Sequence, residues 1–168
     1  PGTCKRLQEK VHKITKNESH IIICNPEFLR EGSAVYDYNN PPVIIIGTFK
    51  KKLPKKILQL YEGLNSEVIT CDIQVAEIMK YVNNTFHALK IVFANEVGNI
   101  CQALNINGHE VMELLCKDEK LNISPYYLKP GFPYGGSCLP KDLSGMKMLS
   151  KLNGCDSPVI NNIGHSNK

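Results

Sequence analysis

The sequence lacks several signatures that would settle a function at once. It has no tryptophan, and its longest apolar stretches fall short of the roughly 18 residues a membrane-crossing helix needs. No charged and apolar leader of the secretory type opens it. Its seven cysteines, at 4, 24, 71, 101, 116, 138 and 155, are an odd set with no Cys-x-x-Cys, and its five histidines include no His-Glu-x-x-His. Zinc, a disulfide framework and a membrane span are therefore not expected, and a cytoplasmic protein with reduced thiols is. No Gly-x-Gly-x-x-Gly occurs, so the pyrophosphate-binding turn of a dinucleotide domain is missing too. The net charge of +4 rests partly on Lys50, Lys51, Lys52, Lys55 and Lys56. No aromatic residues are interleaved with them, which reads as a solvated face and not as a nucleic-acid stripe.

What is present divides by periodicity. Two β-branched runs, His20 to Cys24 and Val43 to Gly47, and a third, Glu67 to Thr70, predict strands. Leu53 to Leu64 has helical spacing. Continuous apolar strands of this kind are normally covered on both faces by helices, and residues 1–72 supply too few. That shortage reads as the last part of a larger Rossmann-like α/β domain, with 73–168 as a second, mainly helical domain.

From Val75 the apolar residues step by three or four through Met79, Val82, Phe86, Leu89, Phe93, Val97 and Ile100 to Leu104. This is one face of a single helix of about 30 residues, roughly 45 Å long. A helix of that length serves as a spine or an oligomer seam. Asn105 to Gly108 stops it, and Asn107 with Glu110 predicts a capped helix through Leu115. Ser124 to Pro140, rich in Gly, Pro and Tyr, reads as a loop, and helical spacing resumes from Asp142 to Leu152.

Three places carry candidate chemistry. In Gly135-Gly136-Ser137-Cys138-Leu139-Pro140-Lys141-Asp142, a cysteine lies between a flexible diglycine and a proline suited to a first helical turn. The positive helix end and Lys141 both favour thiolate, which makes Cys138 the nucleophile candidate. Lys80 and Asn84 share one face of the long helix, as solvated pairs also do. Glu27 and Glu31, in Asn25-Pro26-Glu27-Phe28-Leu29-Arg30-Glu31, follow a strand and read equally as an acid/base pair or as acids in a helix's first turn.

Those blocks, with Glu77 to Asn84, Phe93 to Glu96 and Gly135 to Asp142 in this order, resemble the UDP-glucose/GDP-mannose dehydrogenase family across essentially the whole chain. The resemblance implies an NAD-dependent oxidoreductase that takes a nucleotide-sugar C6 alcohol to a carboxylate in two oxidations, with Cys138 attacking the intermediate aldehyde. It implies that Lys80 and Asn84 face the reacting carbon, that Asp142 orients the hydrolytic water, and that Glu31 is the acid/base partner with Glu27 a weaker candidate. Lys141 and Glu31 are the implied cofactor contacts.

Leu121 to Phe132 is similar to the GDP-mannose branch of the family. Asn122, Tyr126, Tyr127, Lys129 and Gly135 are then implied substrate contacts, together with Glu27, Phe28 and Leu29. Lys129 stands where the family pattern has arginine, which removes a bidentate phosphate grip. The resemblance also implies a homodimer through helix 75–104, and complete members carry a cofactor domain before this segment and a nucleotide-sugar domain after it. On that reading the parent protein is the enzyme, and this polypeptide alone does not turn over substrate.

Overall fold

In a computed structural model the structure describes residues 1–30, 32–50, 52–123 and 132–167, with the backbone alone at Ala88. Helix α4, Ile73–Ala103, belongs to two compact units, Pro1–Phe86 and His87–Lys168.

The first unit contains α1 Thr3–Thr15, β1 Ile23–Cys24, α2 Ala34–Asn39, β2 Ile44–Thr48, α3 Lys55–Gln59 and β3 Val68–Asp72. The strands form one sheet in the order β1-β2-β3. Strands β2 and β3 are parallel, with Ile44 opposite Val68 and Thr48 opposite Asp72, while β1 runs antiparallel to β2 with Ile23 opposite Thr48. Every residue of β2 is buried, as expected of an apolar strand covered on both faces. Ile46 is fully buried, worth about 1.5 to 3 kcal/mol relative to exposure.

The first turn of α4 lies directly on β2. A Cβ on Gly47 would stand 2.4 Å from Ala76 Cβ and 2.9 Å from Ile73 Cα, so only glycine permits this approach. Helix α1 begins at Gly2, which has φ +105° and no side chain to cap it. The cap comes from α4: the Glu77 carboxylate accepts the Gly2 N–H and, at 2.6 Å, the Cys4 N–H.

The second unit contains the rest of α4 with α5 Gly108–Leu115, α6 Cys138–Leu152 and α7 Pro158–Ser166. Asn105, at φ +57°, turns the chain out of α4, and the Asn107 side chain accepts the N–H groups of His109 and Glu110 at 3.1 and 3.4 Å. Helix α5 lies close against α4, where a Cβ on Gly108 would meet Gly98 Cα at 3.2 Å. Glu96, only 4% exposed, caps α7 by accepting the N–H groups of Val159 and Ile160 at 2.7 and 2.9 Å. Helices α6 and α7 are tied at their junction: Ser150 donates to the Cys155 carbonyl at 2.8 Å and shares a hydrogen bond with the Ser157 hydroxyl.

The fold class agrees with the sequence expectation of mixed α/β followed by helices. The long helix starts two residues earlier than expected, and β2 and β3 lie within two residues of their expected spans. Helix α6 begins at Cys138, four residues before the expected Asp142, because Pro140 fits within its first turn. Leu53 to Leu64 yields only the short α3, and the run from His20 pairs only at Ile23 and Cys24. Helices α1, α2 and α7 were not anticipated. Cys155 occupies the turn between α6 and α7.

Among the described residues the buried apolar positions of α4 lie towards its two ends, while Val75, where the apolar stripe begins, is exposed. Ile73 and Ala76 are covered at one end and Val97, Ile100 and Cys101 at the other. Between them Tyr81, Val82, Leu89, Ile91 and Val92 remain exposed.

Candidate functional site

Two groups of candidate residues are described separately, one in each unit. In the first, the segment after β1 is anchored by Asn25, whose side chain donates to the Ile45 carbonyl at 2.9 Å and accepts the Tyr61 hydroxyl at 2.8 Å. Arg30 grips the Asp37 carboxylate with two guanidinium nitrogens at 2.7 and 3.1 Å, and its own backbone N–H donates to the same group at 2.9 Å. This pairing holds the Asp37 carboxyl well below the usual range and pushes Arg30 up. The turn is thus closed from both sides of Glu27.

Glu27 and Lys80, 53 residues apart in sequence, meet here. The Lys80 ammonium donates to the Glu27 carboxylate at 2.7 Å and to the Glu27 carbonyl at 2.8 Å, and Glu27 also accepts the Leu29 N–H at 2.8 Å. The Lys80 bond, followed by that of Leu29, lowers the Glu27 carboxyl from its ordinary value. The side chains of Lys80 and Glu27 are 34% and 57% exposed, so solvent screens the pair and a ligand has access to it. Asn84 lies exposed one helical turn beyond Lys80. Glu27, half-buried Phe28 and Leu29 line a cavity of about 280 Å³ together with Tyr36, Asp37 and Tyr61.

In the second unit, Cys138 is exposed as the first residue of α6, with Sγ 3.9 Å from the Ser137 hydroxyl. Gly136 has φ +76°, a conformation that glycine supplies at no steric cost, and exposed Gly135 precedes it. Among the described residues no side chain caps α6, and no acidic residue lies in its first turn. The open N–H groups of Cys138 and Leu139 therefore have no competing carboxylate among the described residues, and Pro140 contributes none. Lys141 and Asp142 form an exposed pair at 3.5 Å. Asn122, also exposed, donates its amide to the Leu115 carbonyl at 3.4 Å. Glu31, Tyr126, Tyr127 and Lys129 lie outside the described residues.

Sequence reasoning gave no role to Glu77 or Glu96, although both fall in the blocks that carry the resemblance. Each is a carboxylate capping a helix more than 60 residues away in sequence. Only a contact map reveals such a pairing.

The model of the UDP-glucose/GDP-mannose dehydrogenase family central domain matches residues 74–168, more than half of the chain, and that of the family's NAD binding domain matches residues 1–65. The chain belongs to this family. It is 46% identical over 146 residues to GDP-mannose 6-dehydrogenase of Pseudomonas syringae pv. tomato, an alignment covering 87% of this chain and 33% of that protein. It is 34% identical to a UDP-glucose 6-dehydrogenase of Bacillus subtilis, across 99% of this chain and 36% of the relative. Among solved structures, a ternary complex of GDP-mannose dehydrogenase from Pseudomonas aeruginosa superposes with TM-score 0.95 at 37% identity, covering 99% of this chain and 39% of that one. A UDP-glucose dehydrogenase from Pyrobaculum islandicum superposes with TM-score 0.59 at 30% identity, over 94% and 37%. The chain thus spans about a third of the length of the curated relatives it matches.

NAD is the cofactor of the family domain that residues 1–65 match. The fit of this chain to it is partial. With no Gly-x-Gly-x-x-Gly and with Asn25-Pro26-Glu27 following β1, the described residues form no pyrophosphate cradle. Among the described residues no helix is long and apolar enough to cross a membrane.

Proposed function

We propose that this chain supplies the nucleophile-bearing portion of an NAD-dependent dehydrogenase that takes the C6 alcohol of GDP-mannose to the carboxylate of GDP-mannuronate. The observation that carries the reading is the placement of Cys138, exposed behind a diglycine as the first residue of an otherwise uncapped helix. Residues 1–72 are assigned to the end of the cofactor domain and 73–168 to the central domain. The junction of β3 and α4 at Asp72 and Ile73 supports that boundary.

The cofactor, when bound, takes up hydride in each of the two oxidations. This chain's residues act on either side of the second. Cys138 Sγ forms a bond to the C6 aldehyde carbon while the carbonyl oxygen takes a proton, giving a thiohemiacetal; once that carbon has been oxidised, water cleaves the thioester, releasing carboxylate and thiol. The open N–H groups of α6 favour negative charge as it develops beside Cys138. Asp142 is assigned to orient the water, with Glu31 as acid/base partner. Lys80 has three N–H donors, of which Glu27 engages two among the described residues, so one is left for the sugar oxygen; Asn84 adds an amide on the same helix face. Asn122, Tyr126, Tyr127, Lys129 and Gly135 are assigned to the nucleotide sugar, and Lys141 to the cofactor.

The exposed middle of α4 supports a homodimer seam, because Tyr81, Val82, Leu89 and Val92 are apolar side chains that are costly to leave in water on one long helix. Seven unpaired cysteines are compatible with a cytoplasmic setting.

The test is a substrate panel on an enzyme-length polypeptide containing this chain. Oxidation of GDP-mannose in preference to UDP-glucose, lost in Cys138→Ser, is expected. Activity confined to UDP-glucose overturns the substrate assignment, and retention of acid formation in Cys138→Ser overturns the nucleophile. A stable dimer that turns over neither sugar leaves the chain a dimerisation module.

A further inference from the structure

Helix α7 touches the segment that delivers Cys138 at a point the reaction chemistry does not require. The side-chain amide of Asn167, at the C-cap of α7, makes two bonds to the backbone of Tyr134. Its oxygen accepts the Tyr134 N–H at 2.9 Å and its nitrogen donates to the Tyr134 carbonyl at 2.8 Å. This is the pairing one strand residue offers another, made here by a side chain. Tyr134 is three residues before Ser137, the N-cap of α6, and four before Cys138. Its ring also follows α7, with the hydroxyl 4.0 Å from where a Cβ on Gly164 would stand.

The other end of α7 is fixed independently. Glu96 holds its first N–H groups, and the bonds among Ser150, Cys155 and Ser157 tie it to the end of α6. Helix α7 is therefore held at its start by α4 and α6, and at its finish it holds the approach to Cys138. Between Tyr134 and Cys138 lie Gly135 and Gly136, the most permissive backbone in the segment. A nucleophile at the end of such a stretch is placed accurately only if the stretch is anchored close by.

We infer that Asn167 is a positioning residue for Cys138, acting through the Tyr134 backbone. The inference rests on the reading of Cys138 as nucleophile. Asn167 touches no reacting atom; it fixes the start of the flexible segment so that the thiol meets the aldehyde in line. Misplacement on the order of an ångström costs about a hundredfold in rate.

The test uses Asn167→Ala and Asn167→Asp in an enzyme-length polypeptide containing this chain, assayed separately for alcohol and aldehyde oxidation. Ala removes both bonds; Asp keeps the acceptor for the Tyr134 N–H and loses the donor at neutral pH. Expected are a fall in kcat for aldehyde oxidation on the order of ten- to a hundredfold in Ala, a smaller fall in Asp, KM within about twofold, and alcohol oxidation retained. Amide exchange should quicken at Tyr134 and stay slow at Val159 and Ile160. Unchanged aldehyde oxidation in both variants, or equal loss in both half-reactions with faster exchange throughout α7, overturns the inference. Cys138→Ser separates the two ideas. If it still makes acid, the nucleophile reading fails; if it does not while Asn167→Ala does so at full rate, only the positioning role fails.

Discussion

Helices α1 and α7 each begin on a carboxylate delivered by α4, whereas α6 begins on a thiol. Glu77 satisfies the start of α1 and Glu96 that of α7, while among the described residues no side chain satisfies that of α6. All three starts present a positive dipole end, although Pro158 in α7 and Pro140 in α6 contribute no N–H of their own. At α1 and α7 this potential is consumed in holding the fold. At α6 it is left for whatever charge arises beside Cys138. The contrast extends to the cysteines. Cys4, in the first turn of α1, is pushed up to about 12 by burial first and then by its hydrogen bond to Glu77, so a carboxylate at a helix start suppresses a thiol that the bare helix would promote. Cys24 and Cys71 are raised as well, burial being the main cause in each.

The comparison can be broken at several points. The largest effect concerns Cys4. A rise from 9 to about 12 leaves its thiolate roughly a thousandfold scarcer at pH 8 than that of a free cysteine; because a more basic thiolate is also the better nucleophile, site-resolved alkylation should show Cys4 slower by about thirtyfold or more. Glu77→Gln should recover only part of it, since burial contributes more than the carboxylate. Full recovery would mean that the carboxylate, and not burial, governs this thiol.

Next is Glu96→Ala. It strands two backbone N–H groups beside a buried site, costing about 2 to 3 kcal/mol. For a chain of this size that corresponds to a melting temperature lower by roughly 4 to 12 °C. Glu96→Gln keeps an acceptor and should lose less, and equal losses in the two variants would show that the cap is not what the carboxylate contributes.

The smallest effect is on pH dependence. The Glu77 carboxyl is lowered to about 2 from 4.5 by its bonds to the Cys4 and Gly2 N–H groups. A depressed folded value contributes stability at pH above about 4.5, which is lost as pH falls through about 2. Thermal melts of wild type and Glu77→Gln should therefore converge across that window and differ above it. A constant gap would remove Glu77 from the account.

These pairings show where sequence reading stops. Strands β2 and β3 were legible because runs such as Ile44-Ile45-Ile46 have few other fates, and α4 and α5 because an unbroken 3.6-residue period ends in Asn105 and Asn107. Helix α1 was not, since Gly2 offers no capping side chain and Glu77 supplies the cap from 75 residues away. Helix α7 carried a readable signal, Ser157-Pro158 at its start, that the short apolar pattern after it did not reinforce. In the first candidate group Glu27 and Lys80 were each legible, but their meeting across 53 residues was not, because it depends on β1 lying beside β2 and α4 lying over it. Asn167 had no local signal at all: its partner is a backbone group 33 residues earlier.

On the proposed function Cys138 carries the sugar during acid formation. The direct measurement is peptide mapping of an enzyme-length polypeptide containing this chain, acid-quenched during turnover of GDP-mannose. A covalent sugar adduct is expected on the peptide holding Cys138, absent in Cys138→Ser. Acid formed with no adduct, or an adduct on another cysteine, would contradict that role.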